Sequence, residues 1–216
     1  MTRFEWFSDE KIGTAHLEEL HVHYLVVIAH PLSESLTQQL AACAIDMLES
    51  DGHSTECLDL YASGFDPCLS AHERQQYASG VDSTSELSTY ADQLRRAEGL
   101  VLIFPTWWFG MPAVLKGWFD RVWGTGVAFA NDPHTGSIVP ALLTLKEVRV
   151  ITTLGAPSWV DKFVMRSPVK RILKRGIIGG CTVGCRFKMR SLYKADKVDR
   201  RAVEAFCRKL RPFLRN

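Results

Sequence analysis

The sequence has no long apolar run and no excess of charge of one sign. No apolar stretch approaches the roughly 20 residues that span a bilayer, so we expect no stable membrane insertion. With 26 basic and 24 acidic residues, the formal net charge is only +2, which argues against a nucleic-acid partner. The first residues include Glu5, Asp9 and Glu10 and lack the apolar core of a secretory signal. We therefore expect a cytoplasmic protein.

Recognised metal and nucleotide motifs are also missing. The six cysteines are scattered, and only Cys181 and Cys185 lie close together, without a recognised zinc spacing. We expect reduced thiols and no metal site. The loop after the first predicted strand has neither a glycine-rich dinucleotide fingerprint nor a Walker lysine. This excludes the nucleotide-hydrolase and Rossmann interpretations of that loop.

The length of 216 residues suits one α/β domain with a sizeable core. Neither an internal repeat nor a domain linker is visible. We expect an N-terminal extension over residues 1–20 and a domain over residues 21–216. A capping-box pattern at Ser83 and Glu86 predicts the start of a helix.

The most informative stretch runs from residue 100 to residue 122. Leu100 to Phe104 is continuously apolar, which predicts a strand buried on both faces, and Pro105 ends it. A helix follows Pro112, with its buried stripe at Leu115, Trp118, Phe119 and Val122. The intervening loop carries Trp107, Trp108 and Phe109, although loops normally lie on the surface. Three aromatic side chains there indicate a flat ligand, with a second subunit as the alternative.

Two further predicted loops follow buried strands. Val22 to Ala29 reads as a strand and leads into His30 and the hydroxyl-rich residues 33–37, which precede a helix. Such a helix start can bind an anion, and Ser33 and Ser35 could cap the helix, contact a phosphate, or do both. Val148 to Thr153 is the other strand, and it ends in Thr152-Thr153-Leu154-Gly155.

Alternating strands and helices predict a doubly wound parallel sheet of five strands in the flavodoxin-like order 2-1-3-4-5. In that order the three loops meet at one edge of the sheet. The rest of the chain offers weaker patterns. Residues 124–140 read as a long irregular loop. The stretch from Trp159 to Arg175 reads as a basic solvated face, with attraction for a cofactor phosphate as the alternative. The stretch from Cys185 to Arg190 reads as an edge strand.

The segment FPTWWFGMPAVLKGWFDRV, followed by Gly126-Val127-Ala128-Phe129, resembles the flavodoxin-like NAD(P)H:quinone oxidoreductases, which include the bacterial modulator-of-drug-activity proteins. The resemblance implies FAD as cofactor, with FMN as runner-up, and NAD(P)H as hydride donor. The implied reaction is ping-pong two-electron transfer to a quinone. The residues implied to bind the cofactor are His30, Ser35, Leu36, Thr37, Pro105, Thr106, Trp107, Trp108, Phe109, Thr152, Thr153, Leu154 and Gly155.

The resemblance also implies a homodimer. In the family, the equivalents of Val127, Ala128 and Phe129 reach the substrate pocket of the opposing subunit, and Trp108 would line the same pocket. We expect the first three to form an exposed apolar patch. The tyrosine and histidine of the mammalian enzymes are replaced here by Pro157-Ser158-Trp159, with no histidine beyond His134, so no catalytic acid or base is assigned.

Two alternative functions remain open at this point. An azo- or nitro-compound reductase would use the same reduced flavin. A regulatory flavoprotein bound to a membrane transporter belongs to a different class, and dependence of its activity on a partner would distinguish it from an enzyme.

Overall fold

The computed structural model describes residues 21–79 and 85–215. The expected N-terminal extension and the capping contact of Ser83 lie outside the described residues. The strands of this part of the chain are β1 (His23–Ile28), β2 (Ser54–Asp59), β3 (Gly99–Pro105), β4 (Phe129–Asn131), β5 (Ile138–Pro140), β6 (Glu147–Leu154) and β7 (Arg186–Tyr193).

Five of these strands form one parallel sheet in the order β2-β1-β3-β6-β7. When only the strands of this sheet are counted, the order is 2-1-3-4-5, and the predicted flavodoxin-like topology is confirmed. The remaining two strands, β4 and β5, pair as a separate antiparallel hairpin. The stretch 124–140 is therefore partly regular, because Phe129 to Asn131 pairs with Ile138 to Pro140.

Helices cover both faces of the sheet. Their bounds are α1 (Leu36–Ser50), α2 (Ala71–Ser79), α3 (Ser85–Arg96), α4 (Ala113–Val122), α5 (Pro168–Arg171), α6 (Gly179–Cys181), α7 (Arg200–Arg208) and α8 (Leu210–Arg215). Wide helical turns at Val160–Val164 and Ile172–Ile178 and a 3₁₀ turn at Ala195–Lys197 complete the described elements. None of the described helices is both long enough and apolar enough to cross a membrane.

The two faces of the sheet have separate cores. Leu102 and Phe104 of β3 face one core, together with α3, α4 and buried side chains of the segment after α5. Val101 and Ile103 face the other, together with α1, α7 and α8. Every residue of β3 and β6 is buried, which explains why β3 reads as a near-continuous apolar run.

Two charged residues nevertheless lie inside β6. Arg149 is fully buried, and its Nη2 donates to Glu147 Oε2 at 2.7 Å. Arg186 of β7 donates to the same oxygen at 2.8 Å, and the Tyr24 hydroxyl donates to Glu147 Oε1. Burial raises the pKa of Tyr24 above its ordinary value, with a further contribution from Glu147. Burying a charge is unfavourable unless it is paired, and here the buried Arg149 is paired with the buried Glu147.

Helix α4 is fixed to α2 and to the segment that precedes α2. Arg121 is largely buried and donates through Nε to Glu73 Oε1 at 2.9 Å and through Nη1 to the carbonyl oxygen of Asp66. On the same helix, Gly117 packs directly against the backbone of Pro67, so that a Cβ atom at residue 117 would overlap the Pro67 carbonyl oxygen. The position of α4 matters because the aromatic loop leads into it.

We expect Gly117→Ala to lower the free energy of unfolding by about 1–3 kcal/mol, since the added methyl group overpacks this contact. Urea denaturation at equilibrium measures the change. Gly176→Ala is the matched control, because no heavy atom lies within 4 Å of the Cβ position there, so it should be neutral or slightly stabilising. Equal stabilities of the two variants would contradict the packing argument.

Candidate functional site

The three predicted loops meet at the carboxyl edge of the sheet. The ring centroids of His30, after β1, and Trp107, after β3, are 6.1 Å apart. The β3 and β6 loops are joined more tightly. The Thr106 amide donates to the carbonyl oxygen of Thr153 at 2.7 Å, and the hydroxyls of Thr106 and Thr152 also lie 2.7 Å apart. The structure thus brings together residues from three separate parts of the sequence.

The N-terminus of α1 offers unpaired amide groups at this edge. Ser35 is the N-cap, with its Oγ accepting from the Gln38 amide at 3.2 Å and its carbonyl oxygen accepting from the Gln39 amide at 3.1 Å. The amides of Leu36 and Thr37 have no acceptor among the described residues. Two free N–H groups at the positive end of a 15-residue helix suit an anion such as a phosphate.

The side chains of this loop differ from the expectation. Thr37 is largely buried, on the face of α1 that carries the core residues Leu40, Ala41 and Ala44, and its amide remains available to a ligand. Leu36 is half-buried. His30 Nδ1 accepts from the Leu32 amide at 3.0 Å, which leaves Nε2 as the nitrogen available to a ligand. The capping role considered for Ser35 is observed, and it leaves the phosphate role to the amides.

The aromatic loop is a tight turn with an unusual backbone. The amide of Trp107 donates to the carbonyl oxygen of Gly110 at 3.1 Å, and the amide of Gly110 donates to the carbonyl oxygen of Trp107 at 2.8 Å. The two central residues, Trp108 and Phe109, have φ values of +50° and +57°. A two-residue turn with both values positive normally carries Asn-Gly. Each large side chain in this left-handed region costs about 1–2 kcal/mol.

This turn holds large rings in water. Trp108 is fully exposed and Trp107 is 40% exposed, while Phe109 is half-buried. Strain of this kind persists only where the surrounding structure enforces it, and it clusters at functional sites. The arrangement provides flat apolar surfaces directly beside the free amides of α1, and stacking of a planar ring system is the chemistry it suits.

Residues 152–155, here called the threonine loop, comprise the end of β6 and Gly155 and contribute mainly backbone. The Thr152 side chain is buried against Thr106, so it fixes the two loops to each other. This differs from the expectation that its side chain faces the cofactor. The side chains of Thr153 and Leu154 are also buried. Gly155 is exposed, and the Asp196 Oδ2 lies 2.5 Å from the position that a Cβ atom would take there. Glycine at residue 155 therefore leaves room for the Asp196 carboxylate.

Sequence reasoning missed the end of the edge strand. Tyr193 is the last residue of β7 and lies opposite Leu154, and its hydroxyl donates to Asp161 Oδ2 at 3.0 Å. Burial raises the pKa of Tyr193, and the Asp161 carboxylate raises it further. The sequence contained a signal for this residue, because ligands bind at the carboxyl ends of parallel strands and Tyr193 lies just after the predicted edge strand.

A groove of about 600 Å³ extends from α1 to the start of α7. Leu36 and Gln39 line it on one side, and Arg200 and Val203 line it on the other. It begins beside the free amides of α1. Arg200 adds a cation whose only carboxylate partner among the described residues is the exposed Glu204, at 2.9 Å.

The predicted substrate residues lie elsewhere in the protomer. Val127 and Ala128 are buried in the core and Phe129 is half-buried, so the expected exposed patch is absent at the first two positions. Arg95, near the C-terminus of α3, donates to the Gly126 carbonyl oxygen at 3.2 Å. Since α3 leads into the first residue of β3, this segment lies toward the amino edge of the sheet. It does not meet the loops of its own chain.

Among the described residues, no cluster of three or more His, Cys, Asp or Glu side chains could hold a metal ion. The groups that converge at the carboxyl edge are amides, aromatic rings and hydroxyls. Groups of these kinds suit the binding of a planar, phosphorylated molecule.

The chain belongs to the family described as having a flavodoxin-like fold, whose model matches residues 22–182. It is also 33% identical over 143 residues to an uncharacterised NAD(P)H oxidoreductase of Haemophilus influenzae, and the match covers 66% of this chain and 68% of that protein.

Solved structures show the same architecture. An NAD(P)H:quinone oxidoreductase from Methanothermobacter marburgensis is 25% identical, with a TM-score of 0.80 over 91% of this chain and 97% of that one. An FMN-dependent NADH-azoreductase from Bacillus anthracis, solved in complex with FMN, has a TM-score of 0.68 at 16% identity, over 90% of this chain and 100% of that one. The second likeness shows the fold alone.

Because the turn is strained, we expect a substitution that relieves the strain to raise the stability of the fold and to weaken ligand binding. We expect Trp108→Asn to raise the free energy of unfolding by about 1 kcal/mol, because asparagine tolerates the left-handed region and the exposed indole has no packing to lose. The same substitution should weaken flavin binding. Urea denaturation without ligand and a flavin titration measure the two effects.

Trp159→Asn is the matched control, since Trp159 is also exposed but has an ordinary φ of −69°. It should give no stabilisation. If Trp108→Asn were neutral or destabilising, the strain would not reside at this residue.

Proposed function

We propose that the protein is a flavin-dependent NAD(P)H:quinone oxidoreductase. The observation that carries this proposal is the aromatic turn at Trp107 to Gly110, which lies beside the unpaired amides of α1. Thr106, directly before the turn, is hydrogen-bonded to the threonine loop. One edge of the sheet thus offers a phosphate site and a stacking surface within reach of a single molecule. The family membership and the quinone oxidoreductase of similar structure support the same assignment.

The residues present fit a flavin. The amides of Leu36 and Thr37 would hold its phosphate, with Ser35 fixing the helix start that presents them. Trp107 and Trp108 would cover the ring system and exclude water from it. The chemistry that a flavin would supply in this site is two-electron transfer from NAD(P)H to a quinone.

The backbone of residues 153–155 would meet the polar edge of the ring. Amide donors at a position where negative charge develops stabilise the reduced state, and they need no reorganisation during the reaction. The contact between Gly155 and Asp196 limits how far this loop can move. The hydrogen bond from Tyr193 to Asp161 holds the segment after the loop against β7.

We propose FAD rather than FMN because of the groove between α1 and α7. FMN ends at its phosphate and would leave the groove unused, whereas FAD continues with a second phosphate and an adenosine. The groove starts next to the amides that would bind the first phosphate. Arg200, on its far side, supplies a cation for the second phosphate.

We expect Arg200→Ala to weaken FAD binding about tenfold or more, the effect of losing one charged hydrogen bond, and to leave FMN binding unchanged. Calorimetric titration of the flavin-free protein with each flavin measures both affinities. Arg201→Ala is the matched control, because this neighbour is exposed and does not line the groove. Equal losses for FAD and FMN, or an equal effect of Arg201→Ala, would argue against FAD in the groove.

A homodimer is part of the proposal. Of Val127, Ala128 and Phe129, only Phe129 is not buried in the core. It lies away from the loops of its own chain, so its role in the quinone pocket requires a second copy. Trp108, fully exposed at the proposed site, is available to line that pocket. The cytoplasmic location expected from the sequence stays a prediction.

Steady-state kinetics test the reaction. A single stacking surface serves NAD(P)H and quinone in turn, so we expect ping-pong behaviour. Double-reciprocal plots, with quinone varied at several fixed NAD(P)H concentrations, should give parallel lines. Free flavin at the same concentration is the control for reaction without the protein. Intersecting lines would show that both substrates bind together and would exclude the shared surface.

A further inference from the structure

Residues 157–176, here called the basic apolar segment, expose an unusual set of side chains. Large apolar side chains normally lie inside a protein, and isolated exposed ones need no explanation. This segment exposes five within 14 residues, and Phe163 is 77% exposed. The five are Trp159, Phe163, Val164, Met165 and Ile172.

The same segment carries a concentrated positive charge. It contains six basic residues and one acidic residue, a net charge of +5, although the whole chain has only +2. All six basic side chains are exposed, and none pairs with a carboxylate of the described residues. Asp161, the single acidic residue, already accepts from Tyr193. The six are Lys162, Arg166, Lys170, Arg171, Lys174 and Arg175.

The basic apolar segment is a defined part of the fold. Val169 and Leu173 anchor it in the core, and its backbone turns sharply at Arg166 and Ser167, where φ is +56° and +47°. The Ser167 amide donates to the carbonyl oxygen of Asp161 at 2.7 Å and closes this turn. Because the segment follows the threonine loop directly, its first residues lie at the same edge of the sheet as the candidate site.

We propose that the basic apolar segment docks the protein on a membrane surface that contains anionic lipid headgroups. Aromatic and aliphatic side chains flanked by lysine and arginine are typical of elements that lie in the membrane interface. The apolar side chains would enter the headgroup region, and the basic side chains would contact lipid phosphates.

Pairing of the basic apolar segment with the same segment of a second copy fits this surface less well. A two-fold contact that placed the basic apolar segment against its own copy would bring together two faces of net charge +5. Like charges facing each other in a contact are unfavourable. An anionic lipid surface provides the complementary charge and an apolar layer at once.

This inference does not depend on the flavin. If the proposed function also holds, docking would turn the candidate site toward the bilayer, in which apolar quinones dissolve. That consequence alone rests on the proposed function, and a binding experiment without substrate separates the two proposals.

Co-sedimentation with lipid vesicles tests the docking. We expect the protein to sediment with vesicles of phosphatidylcholine and phosphatidylglycerol, to remain in solution with phosphatidylcholine alone, and to be released by high salt. Equal binding to both kinds of vesicle, or binding to neither, would overturn the proposal.

Two sets of variants locate the surface. Lys170→Glu with Lys174→Glu should lower the partition coefficient about 30-fold or more, the fold-change that two lost cationic contacts give. Arg201→Glu with Lys209→Glu makes the same change in net charge at exposed residues in and just after α7, outside the segment. This pair should have a small effect on the partition coefficient. Equal losses from both pairs would place the binding outside the segment.

Trp159→Ser with Phe163→Ser should also reduce binding, while flavin affinity stays unchanged as a check of folding. If the segment instead contacts a second copy, the protein leaves vesicles unbound, and Lys170→Glu with Lys174→Glu changes the sedimentation coefficient. That result would replace the membrane proposal with a subunit interface.

Discussion

The register between β3 and β6 is the constraint on which the candidate site depends. Phe104 pairs with Thr152 and Pro105 with Thr153, so both strands end at the same level of the sheet. Both are buried on two faces, and a slip of one residue would move apolar side chains and the buried charges of β6 to the wrong core. The hydrogen bonds from Thr106 to the threonine loop then follow from the register. Rigid strands thereby fix the relative position of two loops that are far apart in sequence.

The site combines rigid support with local strain. The sheet beneath it is fully buried, while the turn above it places two aromatic residues in a backbone conformation that costs a few kcal/mol in total. A native domain is stable by only about 5–15 kcal/mol, so this strain is a noticeable fraction of the whole. The paired charges at Glu147 and the contact of Gly117 with Pro67 lie away from the turn. They belong to the part of the fold that holds it in place.

The sequence was sufficient to predict the sheet, because fully buried strands, capped helices and apolar stripes have strong local signatures. It also predicted which loops would meet. It did not predict the direction of the Thr152 hydroxyl, which lies against Thr106 for reasons of packing that no local pattern shows. The exposure of Phe163 and Val164 was missed for a related reason. Basic residues at helical spacing indicated a regular solvated face, whereas wide turns and two left-handed residues expose the apolar side chains as well.

The buried Arg149 has a consequence before the protein is folded. Residues 147–154 form a β-prone stretch with several branched side chains, and in a nascent chain such stretches associate with one another. A permanent positive charge within the stretch opposes that association, because copies stacked in register would bring guanidinium groups together. In the native state Glu147 neutralises the charge. Arg149 therefore has the character of a gatekeeper residue, and its cost in the folded protein is limited by a partner two residues away.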